Sequence, residues 1–297
     1  MPLNIEPKIA AAAAELTAIR RDIHAHPELG FEEERTSQIV AKKLKEWGCE
    51  VTTGIGKTGV VGTIRVGNNP TAIGLRADMD ALPMDEYNTF DHRSQHKGRM
   101  HACGHDGHTT MLLGAAQYLS ATRNFDGTVH FIFQPAEEGR GGAEAMVKDG
   151  LFDKFPCEQI FGMHNRPKLD VGKFAIRSGP QMAGGGLFDI HITGKGAHGA
   201  RPESGVDPVI IATQIISALQ TVVSRSVAAL DSAVISVTQM HAGDAYNVIP
   251  NEAVLRGTIR AFKKETMALI EEPSRTSTPD VGLVEMMWPV ATVSLNC

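Results

Sequence analysis

The chain has 297 residues, 42% of them hydrophobic and 21% charged, with a formal net charge of −5. That length holds two domains or one large one, and the composition is that of a globular protein able to bury a sizeable core. The acidic balance, with no basic stripe interleaved with aromatics, argues against a nucleic-acid partner.

The first residues, Met1-Pro2-Leu3-Asn4-Ile5-Glu6-Pro7, carry no charged-then-apolar leader, and no apolar run approaches the length of a membrane span. Residues 8–24 read as an amphipathic helix. A second covers about 32–47, with Ile39, Val40, Leu44 and Trp47 on one face and Gly48 as its stop. Residues 59–66 and 71–75 read as strands, and 107–120 have helical spacing. Strand-like apolar runs follow at 128–133, 159–163 and 173–177, with a helix near 143–148. Strands alternating with helices predict an α/β domain, a mostly parallel sheet flanked by helices. Composition changes at Ala183-Gly184-Gly185-Gly186. Beyond it come a strand at 187–193, a loop at 194–207, a long apolar helix at about 208–223, and strands at 233–240 and 254–262. Strand-helix-strand-strand makes a second, smaller α/β sandwich, so the expected domains are 1–184 and 185–297. Cys49, Cys103, Cys157 and Cys297 are scattered without disulfide-framework spacing, which favours a reducing compartment and a cytoplasmic protein free of membrane.

The chemistry concentrates in Met100-His101-Ala102-Cys103-Gly104-His105-Asp106-Gly107-His108, then Glu137-Glu138 and Met163-His164. Thiolate, imidazole and carboxylate together are the ligand set of a transition-metal site, and glycine between Cys103 and His105 lets both face one ion. Glu137-Glu138 follows Gln134-Pro135-Ala136 on a shaped loop, so one carboxylate can bind metal while the other moves protons. Asp78 and Asp80, Glu137 and Glu138, and His164 each follow a predicted strand. Open α/β sheets bind ligands beyond the carboxyl ends of their strands. Cys103, His105, Glu138 and His164 are therefore the candidate ligands. Asp80 is read as fixing the tautomer of a metal-bound histidine, with a plain turn before Pro83 as the alternative, and His101 and His108 as supporting or structural residues. Gly194-Lys195-Gly196-Ala197-His198-Gly199 lacks the Ser/Thr of a phosphate loop. By pattern alone His198, Asn247 and Arg260 are loop, turn and strand-edge residues.

Taken together these residues closely resemble the metal-dependent aminoacylase/carboxypeptidase family of amidohydrolases, in the branch that includes hippurate hydrolase, indole-acetyl-amino-acid hydrolase and N-acetyl-diaminopimelate deacetylase. The matching stretches begin with Arg21-Asp22-Ile23-His24-Ala25-His26-Pro27-Glu28 and Leu75-Arg76-Ala77-Asp78-Met79-Asp80-Ala81-Leu82-Pro83, and include Met100 to Asp106. Phe133-Gln134-Pro135-Ala136-Glu137-Glu138, Gly162-Met163-His164, Gly194 to His198, and Asn247-Val248-Ile249-Pro250 with Arg260 continue them in unbroken order. The resemblance implies a catalytic domain with two divalent metals, zinc or manganese, with cobalt or nickel also compatible, and an inserted lid domain that makes a homodimer. By position it makes Cys103, His105, Glu138 and His164 the metal ligands, with Cys103 bridging, and Glu137 the general base. It brings His198 from the lid of the partner subunit to the oxyanion, and Asn247 and Arg260 to the carboxylate of the substrate's amino-acid half.

The resemblance also implies that the catalytic domain resumes after the lid and supplies one more metal-binding histidine. No histidine follows His241 in this sequence. After Ile270-Glu271-Glu272, the run Pro273-Ser274-Arg275-Thr276-Ser277-Thr278-Pro279 breaks the helix that the lid requires, and residues 283–288 only faintly resemble its last strand. The expectation is a C-terminally truncated member with an aberrant tail after about 272, through a frameshift or shortened gene model; sequencing the locus and finding no break would sink it. The implied reaction is hydrolysis of an N-acyl amino acid or similar small amide by a metal-activated water, with Glu137 moving the proton. A metallo-carboxypeptidase or dipeptidase, and a catalytically dead fragment, are the alternatives. Cys103, where an aspartate is expected in the peptidase branches, favours the amidohydrolase.

Overall fold

The computed structural model describes residues 5–271 and 292–296. The expected helix break at 273–279 and strand remnant at 283–288 lie outside the described residues. The chain divides into two compact units, Met1–Lys173 and Phe174–Cys297.

The first unit opens with α1 (Pro7–Ala25), whose proline sits in the first turn, where its missing N–H costs nothing. Next comes α2 (Glu34–Glu46), with Glu34 in its first turn and Lys43 and Lys45 in its last, complementing the helix dipole. Thr36, Val40, Ala41 and Leu44 form its buried face. β1 (Glu50–Ile55), β2 (Gly59–Val66) and β3 (Ala72–Asp78) precede α3 (His105–Thr122). They are followed by β4 (Gly127–Gln134), α4 (Gly142–Lys148), α5 (Leu151–Lys154) and β5 (Gln159–Gly162). The sheet order is β1-β2-β4-β3-β5. β4 is buried along its whole length, as a central strand covered on both faces must be.

The α/β class is as expected, with the sheet evenly mixed. β3 runs parallel to β4 and β5, while β1–β2 and β2–β4 are antiparallel. β1, which the sequence pattern passed over, is mostly exposed and shows little alternation, and β2 meets β4 antiparallel as well. The segment 173–177, expected as a strand, has no partner strand among the described residues, and Phe174 and Ile176 are exposed. Alternation marks a side-chain face but supplies no ladder partner.

In the second unit β6 (Gly184–Thr193), β7 (Ala197–His198), α6 (Pro208–Thr221), β8 (Ala233–Ala242), β9 (Val248–Ile249), β10 (Glu252–Ala261), α7 (Lys264–Glu271) and β11 (Thr292–Asn296) follow in order. The main sheet is β11-β6-β10-β8, and β7 and β9 form a small ribbon beside it. One expectation is corrected here. α6 continues through a π turn, making Pro208–Ser226 a run of 19 residues that is long and apolar enough, by length and composition, to cross a membrane. In this fold it lays Ile211, Ala212 and Ile215 on the sheet instead, in a core with Phe188, Ile190, Ile192 and Leu255.

Candidate metal centre

Because β3, β4 and β5 are parallel, their carboxyl ends share one edge: Asp78 pairs with Gln134 and Arg76 with Gly162. Asp80, Glu137, Glu138, His164 and Asn165 follow those ends directly. The start of α3 closes the site. Residues 105, 108, 109, 112, 113 and 116 are all buried, one helical stripe that begins with His105 and His108 and ends in the hydrophobic core. Gly104 makes the turn into α3 at φ +92°, and a Cβ there would lie 2.6 Å from the Asn165 side chain.

His105 is at the middle. It is fully buried, and its Nδ1 lies 3.2 Å from Asp80 Oδ1. A carboxylate only accepts, so Nδ1 carries a proton and Nε2 is the nitrogen left to take a metal ion or a second proton. Nε2 has no hydrogen-bond partner. Around it stand Asp78 Oδ2 at 3.7 Å, Glu137 Oε2 at 3.9 Å and Glu138 Oε1 at 3.9 Å. Cys103 Sγ lies 3.4 Å from His164 Nε2, and His164 Nδ1 donates to the Asn165 carbonyl at 2.8 Å, so this ring also offers Nε2. Three overlapping sets of ligand atoms share His105: with Cys103 and His164, with Glu137 and Glu138, and with Asp78 and His108.

The electrostatics ask for a cation. Burial lowers the basicity of His105, but Asp80, Cys103 and the Asp78 carboxylate outweigh it and raise its pKa to about 11, so the surroundings hold a cation at Nε2, either a proton or in its place a metal ion. Burial pushes Asp78 up, yet the His108 hydrogen bond and the charges of Arg76, His105 and His108 hold it well below the usual carboxylate range. Glu137 is raised, by burial first and then by the charges of Glu138 and Asp78. An unpartnered buried imidazole nitrogen amid a thiol and several carboxylates fits a divalent transition metal, and the mixed S, N and O donors suit zinc-like ions.

Sequence reasoning placed Cys103, His105, Glu138, His164, Glu137 and Asp80 at the site, and the fold brings all six together around His105. It read His108 as a supporting residue and gave Asp78 no settled role; the two are joined at 2.7 Å. His108 Nε2 in turn accepts from the Asn165 amide at 3.0 Å. It also missed Arg76, whose guanidinium donates to Asp78 at 2.7 Å and to Gln134 at 2.9 Å. The helical stripe was the signal available for His108. In the second unit His198 and Asn247 meet on the β7–β9 ribbon, where His198 pairs with Val248 and the Gly199 amide donates to Asn247 O at 2.7 Å. Arg260 lies on β10, opposite Gly185 and Val234.

Three comparisons bear on this geometry. The model of a family described as peptidase family M20/M25/M40 matches residues 74–293. A hippurate hydrolase of Campylobacter jejuni is 49% identical over 270 residues, covering 91% of this chain and 70% of its own length. An indole-acetyl-amino-acid hydrolase of Arabidopsis thaliana is 47% identical over 83% of this chain and 56% of its own. The crystal structure of a Bacillus subtilis protein, described as a dinuclear metal-binding peptidase of the M20 family, matches with a TM-score of 0.75 at 37% identity, over 97% of this chain and 74% of that one. The chain thus spans 56% to 70% of the length of these two curated relatives.

Proposed function

Because this chain belongs to peptidase family M20/M25/M40, we propose that it is a metal-dependent amidohydrolase that cleaves the amide bond of small N-acyl amino acids of the hippurate type. The observation that carries the reading is the buried, unpartnered Nε2 of His105, ringed by Cys103, His164, Glu138 and Glu137. In this reading Cys103, His105, Glu138 and His164 hold two divalent ions, zinc or manganese, with cobalt or nickel also fitting the donors. Ions bound there would supply Lewis acidity and lower the pKa of water from about 15.7 towards roughly 7.

The chain's own residues do the rest. Glu137, partly exposed at the cavity rim, has a raised pKa that suits it to take a proton from the attacking water and return it to the leaving nitrogen. Asp80 holds the Nδ1 proton of His105, so that Nε2 is the nitrogen turned to an ion. In the proposal the partner subunit's His198 faces the oxyanion, and Asn247 and Arg260 are the residues suited to the substrate carboxylate, a group for which the guanidinium fork is well shaped. A cytoplasmic homodimer joined through the second unit completes the proposal. The homodimer is supported by β8, which among the described residues ends its sheet with Val234 and Met240 exposed, a strand edge open to pairing.

The test is hydrolysis of hippurate, other N-acyl amino acids and dipeptides by the purified chain with added Mn²⁺ or Zn²⁺. Glu137→Gln should lower kcat by about 10²–10⁴-fold, the usual range for a general base, with metal content unchanged. Loss of metal from that variant would show that Glu137 is a ligand and not the base. Turnover confined to dipeptides would favour the peptidase.

A further inference from the structure

Ala136 is buried and lies at φ +49°, a left-handed conformation that an L side chain enters only at a cost. It stands immediately before Glu137, so its backbone sets the direction in which that side chain leaves the loop. Three ties hold it. Its amide donates to Glu33 Oε1 at 2.7 Å, its carbonyl accepts from the Gly142 amide at 3.0 Å, and Gly30 leaves it room, since a Cβ there would meet Ala136 at 3.0 Å. Only the first is made by a side chain. Glu33 is fully buried, and its other oxygen accepts from Thr58 Oγ1 at 2.6 Å.

The position of Glu33 is unusual for its residue type. It is the residue before α2, but the first amides of that helix, Arg35 and Thr36, donate to Glu28 at 2.9 and 2.8 Å, and the Glu33 side chain makes no cap bond. It reaches an amide 103 residues away instead. Two residues beyond Ala136, the Glu138 amide donates to Asp80 Oδ2 at 2.9 Å. Glu137 therefore lies between two buried carboxylates, each gripping a backbone amide beside it.

We infer that Glu33 is a positioning residue for the proton-transfer step: by anchoring the Ala136 amide it keeps the loop in its left-handed turn and aims Glu137 at the cavity beside His105. The inference rests on the reading of Glu137 as general base. It also predicts a specific rescue. Glycine occupies the left-handed region freely, so Ala136→Gly should make the anchor dispensable.

The experiment compares the full chain with Glu33→Met, which is close in volume but has no carboxylate acceptor, with Glu33→Gln, which keeps one, and with Glu33→Met/Ala136→Gly. Amide exchange at residues 136–138 and kcat are read together, with metal content as a control. Glu33→Met should lose protection at these amides by about tenfold or more. It should lower kcat by roughly 10- to 100-fold at unchanged metal content, the scale of a misplaced catalytic group. Glu33→Gln should stay near the parent, and the double variant should recover most of the kcat loss, while its residue-136 amide, still without an acceptor, stays exchangeable. Unchanged protection in Glu33→Met, or a double variant with kcat no better than the single one, overturns the inference. The exchange readout does not depend on turnover. If Glu137→Gln keeps full activity, the base assignment fails separately from the anchoring.

Discussion

Asp80→Asn tests the site at the atom where its chemistry is decided. Asp80 is 1% exposed and makes two ties, to His105 Nδ1 at 3.2 Å and to the Glu138 amide at 2.9 Å. The substitution keeps the shape and exchanges one acceptor for a donor. If the remaining oxygen stays on the Glu138 amide, the new NH2 faces Nδ1 and the ring proton must move to Nε2. That removes the lone pair from the cavity. If the amide group turns over, its NH2 opposes the Glu138 N–H, and the loop that carries Glu137 and Glu138 loses its fastening. One tie is lost in either arrangement. Losing the partner behind a metal-binding histidine costs about 10- to 100-fold in metal affinity, or roughly 1.4–2.8 kcal/mol. Calorimetric titration of Zn²⁺ or Mn²⁺ into metal-stripped parent and variant, each shown by circular dichroism to be folded, measures it. A folded Asp80→Asn that binds metal as tightly as the parent would refute the tautomer argument.

Two further expectations concern stability. His24 lies between Asp106 at 2.9 Å and Glu86 at 3.1 Å, with all three side chains buried. The Asp106 hydrogen bond, and secondarily Glu86, raise the His24 pKa against burial. Burial pushes Asp106 up, but His24, His101 and Arg20 together draw it down to about 2. A raised histidine stabilises fully below its unfolded value of 6.5 and loses that contribution as pH rises through the higher folded value. The lowered aspartate stabilises above 3.8 and loses its contribution as pH falls towards about 2. His24→Gln should therefore cost most between these limits, roughly 3–5 kcal/mol for a broken buried pair, and less above neutral pH. Thermal melts across pH check this, and a deficit that grows at alkaline pH would contradict it. Leu44→Ala removes a fully buried side chain packed so closely on Gly62 that a Cβ there would lie 2.9 Å from Leu44 Cδ1. Urea denaturation should show a loss of about 2–5 kcal/mol, and a value under about 1 kcal/mol would mean that the site collapses to fill the space.

What the sequence made legible, and what it hid, follows from how far each signal reaches along the chain. Periodic apolar residues place α2 and β2 within a residue or two, because the face that Val40 and Leu44 bury is written locally. The metal-type residues are legible for a related reason. Parallel strands must end at a common edge, so ligand-type residues that follow successive strands converge without any knowledge of register. The strand sense of β1 and β2, by contrast, depends on pairing that alternation does not encode, and 173–177 shows that an alternating run without a partner remains unpaired. Hidden most deeply are the residues that hold the site from behind. Glu33 sits in the run Glu32-Glu33-Glu34 at the predicted helix start, and Asp106 stands just before the run of helical spacing at 107–120. Each acquires its partner across a long stretch of sequence, Glu33 with Ala136 and Asp106 with His24. Burial then changes what such a residue does: a carboxylate that would add little on the surface becomes, with one buried amide or imidazole to hold, a determinant of backbone direction. The ligand-type residues could be recognised by their side-chain chemistry alone, whereas those that aim them can be recognised only from the fold.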